Sequence, residues 1–311
     1  MQRRAIGTLE VSVVGLGCNN FGPRLDAVRT AEVVHAALDA GVNFFDTADL
    51  YGEGASEQYL GRAVRDRRGE AIIATKFGHE RSVFGKGARP EHIRRALDGS
   101  LQRLGTDYID LYQVHQPDPA TPIADTLGAL DDAVRAGKVR EIGCSNFSVE
   151  QLRDAQAAVK PDAARFVSVQ NEYSLFERAP EQGVLDECER QGLAFLPYFP
   201  LASGLLTGKY RLHAPIPAGR LSGGGRYGSL LSDENLATVE RLITFADGRG
   251  HTLLELAISW LLAHGVVASV IAGATKPEQV RANAAAAGWA LSDDDLAQVN
   301  EIMAEAGQPG S

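Results

Sequence analysis

Asp46, Tyr51, Lys76 and His115 have the types and the spacing for proton chemistry at a carbonyl group. Singly, each has an ordinary explanation: acidic residues end strands, lysines are solvated, loop tyrosines pack, and a lone histidine is more often structural. Together they form a specific device. A phenol with pKa about 10 is too weak an acid to protonate a carbonyl efficiently at neutral pH. A neighbouring ammonium stabilises the phenolate, and a carboxylate holds the ammonium in place. An imidazole can orient the carbonyl or relay its proton, so the oxygen that gains charge meets waiting donors. The set suits hydride transfer to a carbonyl, with Tyr51 giving the proton. It contains no hydride, so a cofactor must bind beside it.

Such convergence needs a scaffold that brings distant segments to one rim. Apolar runs at Val14–Cys18, Val42–Phe45, Ala71–Thr75, Tyr108–Val114, Val139–Cys144, Phe166–Val169, Leu193–Tyr198 and Val266–Ile271 read as buried strands. Helical patterns separate them: Asp26 caps one reaching Ala40, Pro90 opens one reaching Arg103, and Ser148 caps one reaching about Val159. Others cover Ser56–Arg65, Ile123–Ala136, Glu181–Gln191, Ser232–Gly248, Leu253–His264, Pro277–Ala286 and Ser292–Ala304. Arg4–Ile6 and Val11–Val14 suggest an N-terminal hairpin. The connections are too long for hairpins, so the eight strands are parallel, crossed over by helices.

An open Rossmann sheet would need a G-x-G-x-x-G turn after its first strand, and Phe21-Gly22-Pro23 stands there instead. The expected fold is therefore α/β: a single (β/α)8 TIM barrel over residues 1–311, with the N-terminal hairpin and two extra helices. In such a barrel function gathers at the carboxyl ends of the strands. The polar residues there are Asn19 and Asn20, Asp46 with Tyr51, Lys76, His115, Ser145 with Asn146, Gln170, and Tyr198.

Composition narrows the partners. The 311 residues are 44 % hydrophobic and carry a net charge of −9 without a basic stripe, which argues against nucleic-acid binding. Cys18, Cys144 and Cys188 lack metal-ligand spacing and read as reduced core thiols, so no metal is expected. No signal peptide and no apolar run of about 18 residues is present, so a cytoplasmic protein with no membrane partner is expected. Nothing specifies an oligomeric state.

Several motifs now resemble one family, in order and over essentially the whole chain. Asp46-Thr-Ala-Asp-Leu-Tyr51-Gly, Lys76 at the third strand end, and Asp110-Leu-Tyr-Gln-Val-His115 are similar to signatures of the aldo-keto reductases. So are Ile142-Gly-Cys-Ser145-Asn146-Phe and the run from Tyr198 to Lys209-Tyr. The resemblance is to the aryl-aldehyde and potassium-channel β-subunit branch. It implies a catalytic tetrad of Asp46, Tyr51, Lys76 and His115, with Tyr51 as the acid, and NADPH (NADP+) lying across the barrel mouth.

On that resemblance Asn19, Asn20 and Asp46 border the cofactor, Ser145, Asn146 and Gln170 hold the carboxamide, and Tyr198 stacks on the nicotinamide. Phe199, Pro200, Leu201, Ser203, Leu205, Lys209 and Arg220 wrap the pyrophosphate side. Ile271, Gly273, Thr275, Lys276, Gln279 and Asn283 take the adenosine end, where the N–H groups of a helix start suit an anion. Gly273 and Gln279 replace a Lys and an Arg that many members use to grip the 2′-phosphate. Lys276, Lys209 and Arg220 are the cations left to compensate. Phe21, Leu50, Phe77 and Phe147, with Tyr51 and His115, form the expected substrate walls. These walls favour an apolar aldehyde or ketone as the small-molecule carbonyl substrate. The long loop at 200–230 is expected to cover the cofactor. Two other readings keep the barrel: a cofactor-sensing regulatory subunit with weak turnover, and a lyase or isomerase using Lys76 as a Schiff base. The complete tetrad opposes the first. A lysine beside Asp46 opposes the second, because an imine-forming amine must lose its proton.

Overall fold

The computed structural model describes residues 1–219, 221–222 and 225–306. Arg3–Ile6 (β1) and Leu9–Ser12 (β2) pair as an antiparallel hairpin. Its Ile6, Leu9 and Val11 pack with Phe44, Ala74, Leu111 and Leu196, so the hairpin plugs one end of the barrel that the later strands build.

The chain then alternates. Val14–Gly17 (β3) leads to Ala27–Asp39 (α1), Phe44–Asp46 (β4) to Ala55–Ala63 (α2), and Ile72–Phe77 (β5) to Pro90–Leu104 (α3). Ile109–Val114 (β6) leads to Ile123–Arg135 (α4), Val139–Ser145 (β7) to Val149–Ala157 (α5), and Phe166–Glu172 (β8) to Val184–Gln191 (α6). Ala194–Tyr198 (β9) precedes Asp233–Asp247 (α7) and Leu253–Leu262 (α8), and Val270–Gly273 (β10) precedes Pro277–Ala285 (α9) and Asp293–Ala306 (α10). The eight strands β3 to β10 close into one barrel in sequence order, with β10 pairing in parallel with both β3 and β9. The TIM barrel, hairpin and extra helices expected from the sequence are all present.

Local chemistry explains the helix starts. The Asp26 carboxylate accepts from the Arg29 amide at 2.9 Å. Ser148 with Gln151 and Thr252 with Glu255 form reciprocal capping boxes, each satisfying donors the helix cannot satisfy itself. Between helices and barrel lies a ring of buried side chains, including Val34, Leu60, Ile93, Leu130, Leu152, Val239 and Trp260. Full burial of each such side chain contributes about 1.5–3 kcal/mol. Inside the barrel, space is short. A Cβ at Gly143 would lie 2.4 Å from Ser168 Oγ and 3.2 Å from Ser168 O, so only glycine leaves room there for Ser168 on the neighbouring strand.

Several strand boundaries differ from expectation: the second hairpin strand is Leu9–Ser12 rather than Val11–Val14, the second barrel strand starts at Phe44, and the sixth runs on to Glu172. The eighth strand begins at Val270 rather than Val266, because 266–268 first bond to Phe195 on β9 and Val270 then bonds across to Val13. Lys76 lies within β5, whose last residue is Phe77. No helix among the described residues is long and apolar enough to cross a membrane, and none of their His, Cys, Asp and Glu side chains cluster to hold a metal.

Candidate active site

β4 is only three residues long, but the turn after it stays laddered to β5: Thr47 N donates to Ala74 O at 2.8 Å and Asp49 N to Lys76 O at 3.1 Å. Thr47 and Ser56 hydroxyls bond at 2.8 Å, and Ser56 donates to Cys18 O at 2.9 Å, tying the turn to α2 and β3. The 3-10 turn Tyr51–Gly54 comes next, so Asp46 and Tyr51 are held on one short, braced segment.

The structure brings the four expected side chains together. Lys76 Nζ donates to Asp46 Oδ2 at 2.6 Å, to Thr47 O at 3.0 Å and to Tyr51 Oη at 3.4 Å. The same ammonium lies 5.0 Å from the Tyr51 ring centre. The His115 ring stands edge-on to Tyr51 with centroids 5.9 Å apart. Asp46 and Lys76 are sealed from water, His115 is nearly so, and Tyr51 is half-buried.

Burial by itself would strip the proton from Lys76, but the Asp46 carboxylate and the Tyr51 oxygen outweigh it and hold the ammonium above the ordinary lysine range. That opposes an imine at Lys76. Burial also pushes the Tyr51 phenol up, and the pull of Lys76 in the opposite direction does not overcome it. The net lowering expected from the sequence is therefore corrected: in this dense site desolvation of a phenolate costs more than one shared ammonium returns. His115 is held well below the usual imidazole range, first by burial and then by Lys76, His79 and Arg81, so its ring is neutral at physiological pH.

One residue here escaped sequence reasoning. Gln113, opposite Lys76 in the β5–β6 register and with no exposed surface, donates to Asp46 Oδ1 at 3.3 Å. Gln170 donates to the same oxygen at 2.9 Å and to Gln113 Oε1 at 3.4 Å. Two amides thus occupy the carboxylate oxygen that Lys76 leaves. The signal was the strand alternation, which puts Gln113 on the same face as Asp46 and Lys76.

The expected cofactor residues divide by what they touch. Ser145 donates to Gln170 O at 2.8 Å, while Asn146 donates to His115 O and to Ser145 Oγ, each at 3.0 Å, and accepts from the Tyr198 hydroxyl at 2.9 Å. Asn146 adopts φ 62, a left-handed conformation that asparagine tolerates better than most. After β9, Phe199 (φ 52), Ala202 (φ 45) and Ser203 (φ 57) are also left-handed without being glycine. Residues held in such sparsely populated conformations cluster at ligand-binding and switch segments of proteins in general. Pro200 is buried, Leu201 half-buried, and Leu205, Leu206, Tyr210 and Leu221 are sealed, anchoring the loop on the barrel. Lys209 reaches back over the Tyr210 ring at 4.8 Å.

Across the mouth, Asn20 donates to Ala274 O at 3.2 Å, and the half-buried Asn19 lies close to Gly273. Ile271 and Asn283 are buried, while Gly273 and Lys276 are exposed. Lys276 caps α9 with no side-chain bond to its first-turn amides, and Pro277 opens the helix. Gln279 Oε1 accepts from Thr275 N at 2.7 Å and from its hydroxyl at 3.1 Å. Arg220 lies outside the described residues.

The phenylalanines expected in the substrate walls lie in the core. Phe77 follows Lys76 in β5 and so points away from the barrel interior, where it stacks on Tyr112 at 4.7 Å and meets His92 edge-on. Phe21 has no exposed surface, and Phe147 is nearly sealed against Phe166. Of the apolar residues named for the wall, Leu50 alone is half-buried.

Comparison with known proteins agrees with this geometry. Residues 13–304 match the Aldo/keto reductase family. The chain is 37 % identical to the aldo-keto reductase yakc [NADP(+)] of Schizosaccharomyces pombe, covering 96 % of this chain and 90 % of that one. It is 32 % identical to the L-glyceraldehyde 3-phosphate reductase of Escherichia coli, with 98 % and 93 % covered. The solved glycerol dehydrogenase AKR11B4 from Gluconobacter oxydans superposes with a TM-score of 0.86 at 31 % identity, covering 100 % of this chain and 98 % of that one. A match of this extent, on a barrel whose rim carries an ammonium between a carboxylate and a phenol, makes the chain a member of the aldo/keto reductase family of oxidoreductases.

Proposed function

We propose that the protein reduces an aldehyde or ketone to an alcohol with NADPH, Tyr51 delivering the proton. The observation that carries this reading is the position of Lys76 Nζ, 2.6 Å from Asp46 and 3.4 Å from Tyr51 Oη, beside a neutral His115. NADPH, when bound, supplies the hydride. His115 orients the carbonyl by donating a ring N–H to its oxygen. Tyr51, protonated at physiological pH, passes its proton to that oxygen as negative charge gathers there. Lys76 then stabilises the phenolate left behind, and Asp46, held by Gln113 and Gln170, keeps Lys76 charged and in place.

The chain's own residues fit the cofactor. Among the described residues no group bonds the Gln170 side-chain carbonyl oxygen, which leaves it for a carboxamide N–H. Asn146 fixes the Tyr198 hydroxyl, so the ring stands ready as a flat wall. The left-handed turn at Phe199–Ser203 and the α9 start present backbone N–H groups suited to phosphates. Lys209 and Lys276, both exposed, supply the positive charge that Gly273 and Gln279 do not, and this favours NADPH over NADH. The 200–230 loop covers the cofactor.

The test is consumption of NADPH by the parent and Tyr51→Phe proteins with a panel of aldehydes. Turnover is expected to fall at least about 100-fold in the variant, with NADPH affinity within about twofold of the parent because no cofactor contact is lost. A variant that reduces aldehydes at the parent rate removes Tyr51 from the role of acid.

A further inference from the structure

Phe21, Phe77 and Phe147 are withdrawn into the core and leave His115 without an aromatic wall from those positions. The next ring along the rim is His79, whose centroid lies 4.9 Å from that of His115 at an interplanar angle of 68°. The two histidines follow the ends of the adjacent strands β5 and β6. His115 therefore contacts Tyr51 on one ring pair and His79 on the other.

His79 is positioned with some care. It sits just past Gly78, whose carbonyl accepts from Gly87 N at 2.9 Å and closes the neck of the loop. Gly78 has φ +87, and a Cβ there would lie 2.6 Å from Gly87 O, so the neck closes only around glycine. Inside the loop Ser82 N donates to His79 O at 2.9 Å. The Arg81 amide donates to His79 Nδ1 at 3.1 Å. Burial, then the Arg81 cation, hold this imidazole below its ordinary range despite Glu80, so it is neutral at physiological pH. A neutral ring that accepts at Nδ1 carries its proton on Nε2. Among the described residues nothing bonds that Nε2, and the ring is only half-buried.

We infer that His79 is a specificity-determining residue whose Nε2–H takes an oxygen on the carbon next to the reacting carbonyl, so that the preferred substrates are α-oxygenated aldehydes and ketones. The inference rests on the reductase reading above. His115 and Tyr51 hold the carbonyl oxygen, and the neighbouring carbon's substituent then falls beside His79. A hydroxyl or second carbonyl there satisfies the donor. A methyl group leaves it without a partner and forfeits the bond.

Lactaldehyde and isobutyraldehyde differ by a hydroxyl in place of a methyl on that carbon, and NADPH-linked kcat/KM for the two gives the test. The parent should favour lactaldehyde. His79→Leu should lower kcat/KM for lactaldehyde about tenfold and leave isobutyraldehyde within about twofold. His79→Gln, which keeps an N–H donor, should restore most of the preference. Equal losses on both aldehydes, or an unchanged ratio in His79→Leu, would overturn the assignment while leaving the reductase reading intact. If the parent turns over neither these two nor any aldehyde of the panel, the reductase reading falls and this inference with it.

Discussion

Asp46 and Asp49 stand on the same turn, three positions apart, and both are sealed from water, yet the fold treats them in opposite ways. Asp46 receives Lys76, Gln170 and Gln113 at 2.6, 2.9 and 3.3 Å. Among the described residues neither oxygen of Asp49 has a hydrogen-bond partner. The Ser82 hydroxyl and the Leu50 amide lean toward it, enough to ease its ionisation but short of bonding geometry. Burial, and then the buried Glu57 carboxylate beside it, push the Asp49 carboxyl up to about 6, with Arg103 pulling the other way. Glu57 is itself committed, accepting from Thr75 Oγ1 and Arg103 Nε at 2.6 Å each. A buried carboxylate is tolerable when it is paired and hydrogen-bonded, and costly otherwise. One loop therefore holds a carboxylate wired for work and another whose charge the fold merely tolerates.

The sharpest way to break this comparison is turnover. Asp46→Asn should lower it about 100-fold or more, because Lys76 loses the charge that keeps it an ammonium. Asp49→Asn should change it by less than about threefold. Equal losses would mean that Asp49 also serves the chemistry.

Stability should show the reverse. Asp49 has a folded pKa above its unfolded one, so ionisation opposes folding. The penalty is absent below about pH 4, grows as pH rises toward 6, and is complete above it, reaching about 3 kcal/mol at most. Asp49→Asn should therefore gain about 1–3 kcal/mol at pH 7.5 in denaturant unfolding and flatten the decline between pH 4 and 6. An unchanged profile would show that Asp49 finds a partner in solution.

The smallest effect concerns the amides. Gln113→Leu keeps the volume and removes one donor from a charged acceptor, at a cost of about 1–2 kcal/mol of stability. No loss would leave Asp46 held by Lys76 and Gln170 alone.

Much of this was legible in the sequence because barrel strands are buried on both faces and end abruptly in polar residues. Asp46, Lys76, His115, Ser145 and Gln170 all announce themselves that way. Lys76 and Phe77 show the limit: reading the strand as ending at Thr75 hid the alternation that sends Phe77 outward. Gln113 lies inside β6 rather than at its end, so attention to strand ends alone passes over it. Asp49 sits in a polar run that looks solvated, and only the packing of α2, α3 and β6 around it removes the water. The eighth strand was placed early because Val266 and Val267 are as apolar as the strand proper, and pairing partners decide where the strand starts.

The Tyr198 hydroxyl has a consequence for anyone redesigning this enzyme. Its bond to Asn146, and that of Asn146 to the His115 carbonyl, link the ends of β9, β7 and β6 in one chain of contacts. The wall proposed for the nicotinamide and the imidazole proposed for the substrate are thus mechanically one part. Library positions on either side are not independent, and a Phe in place of Tyr198, harmless to a stacking surface, would release the far end of that linkage.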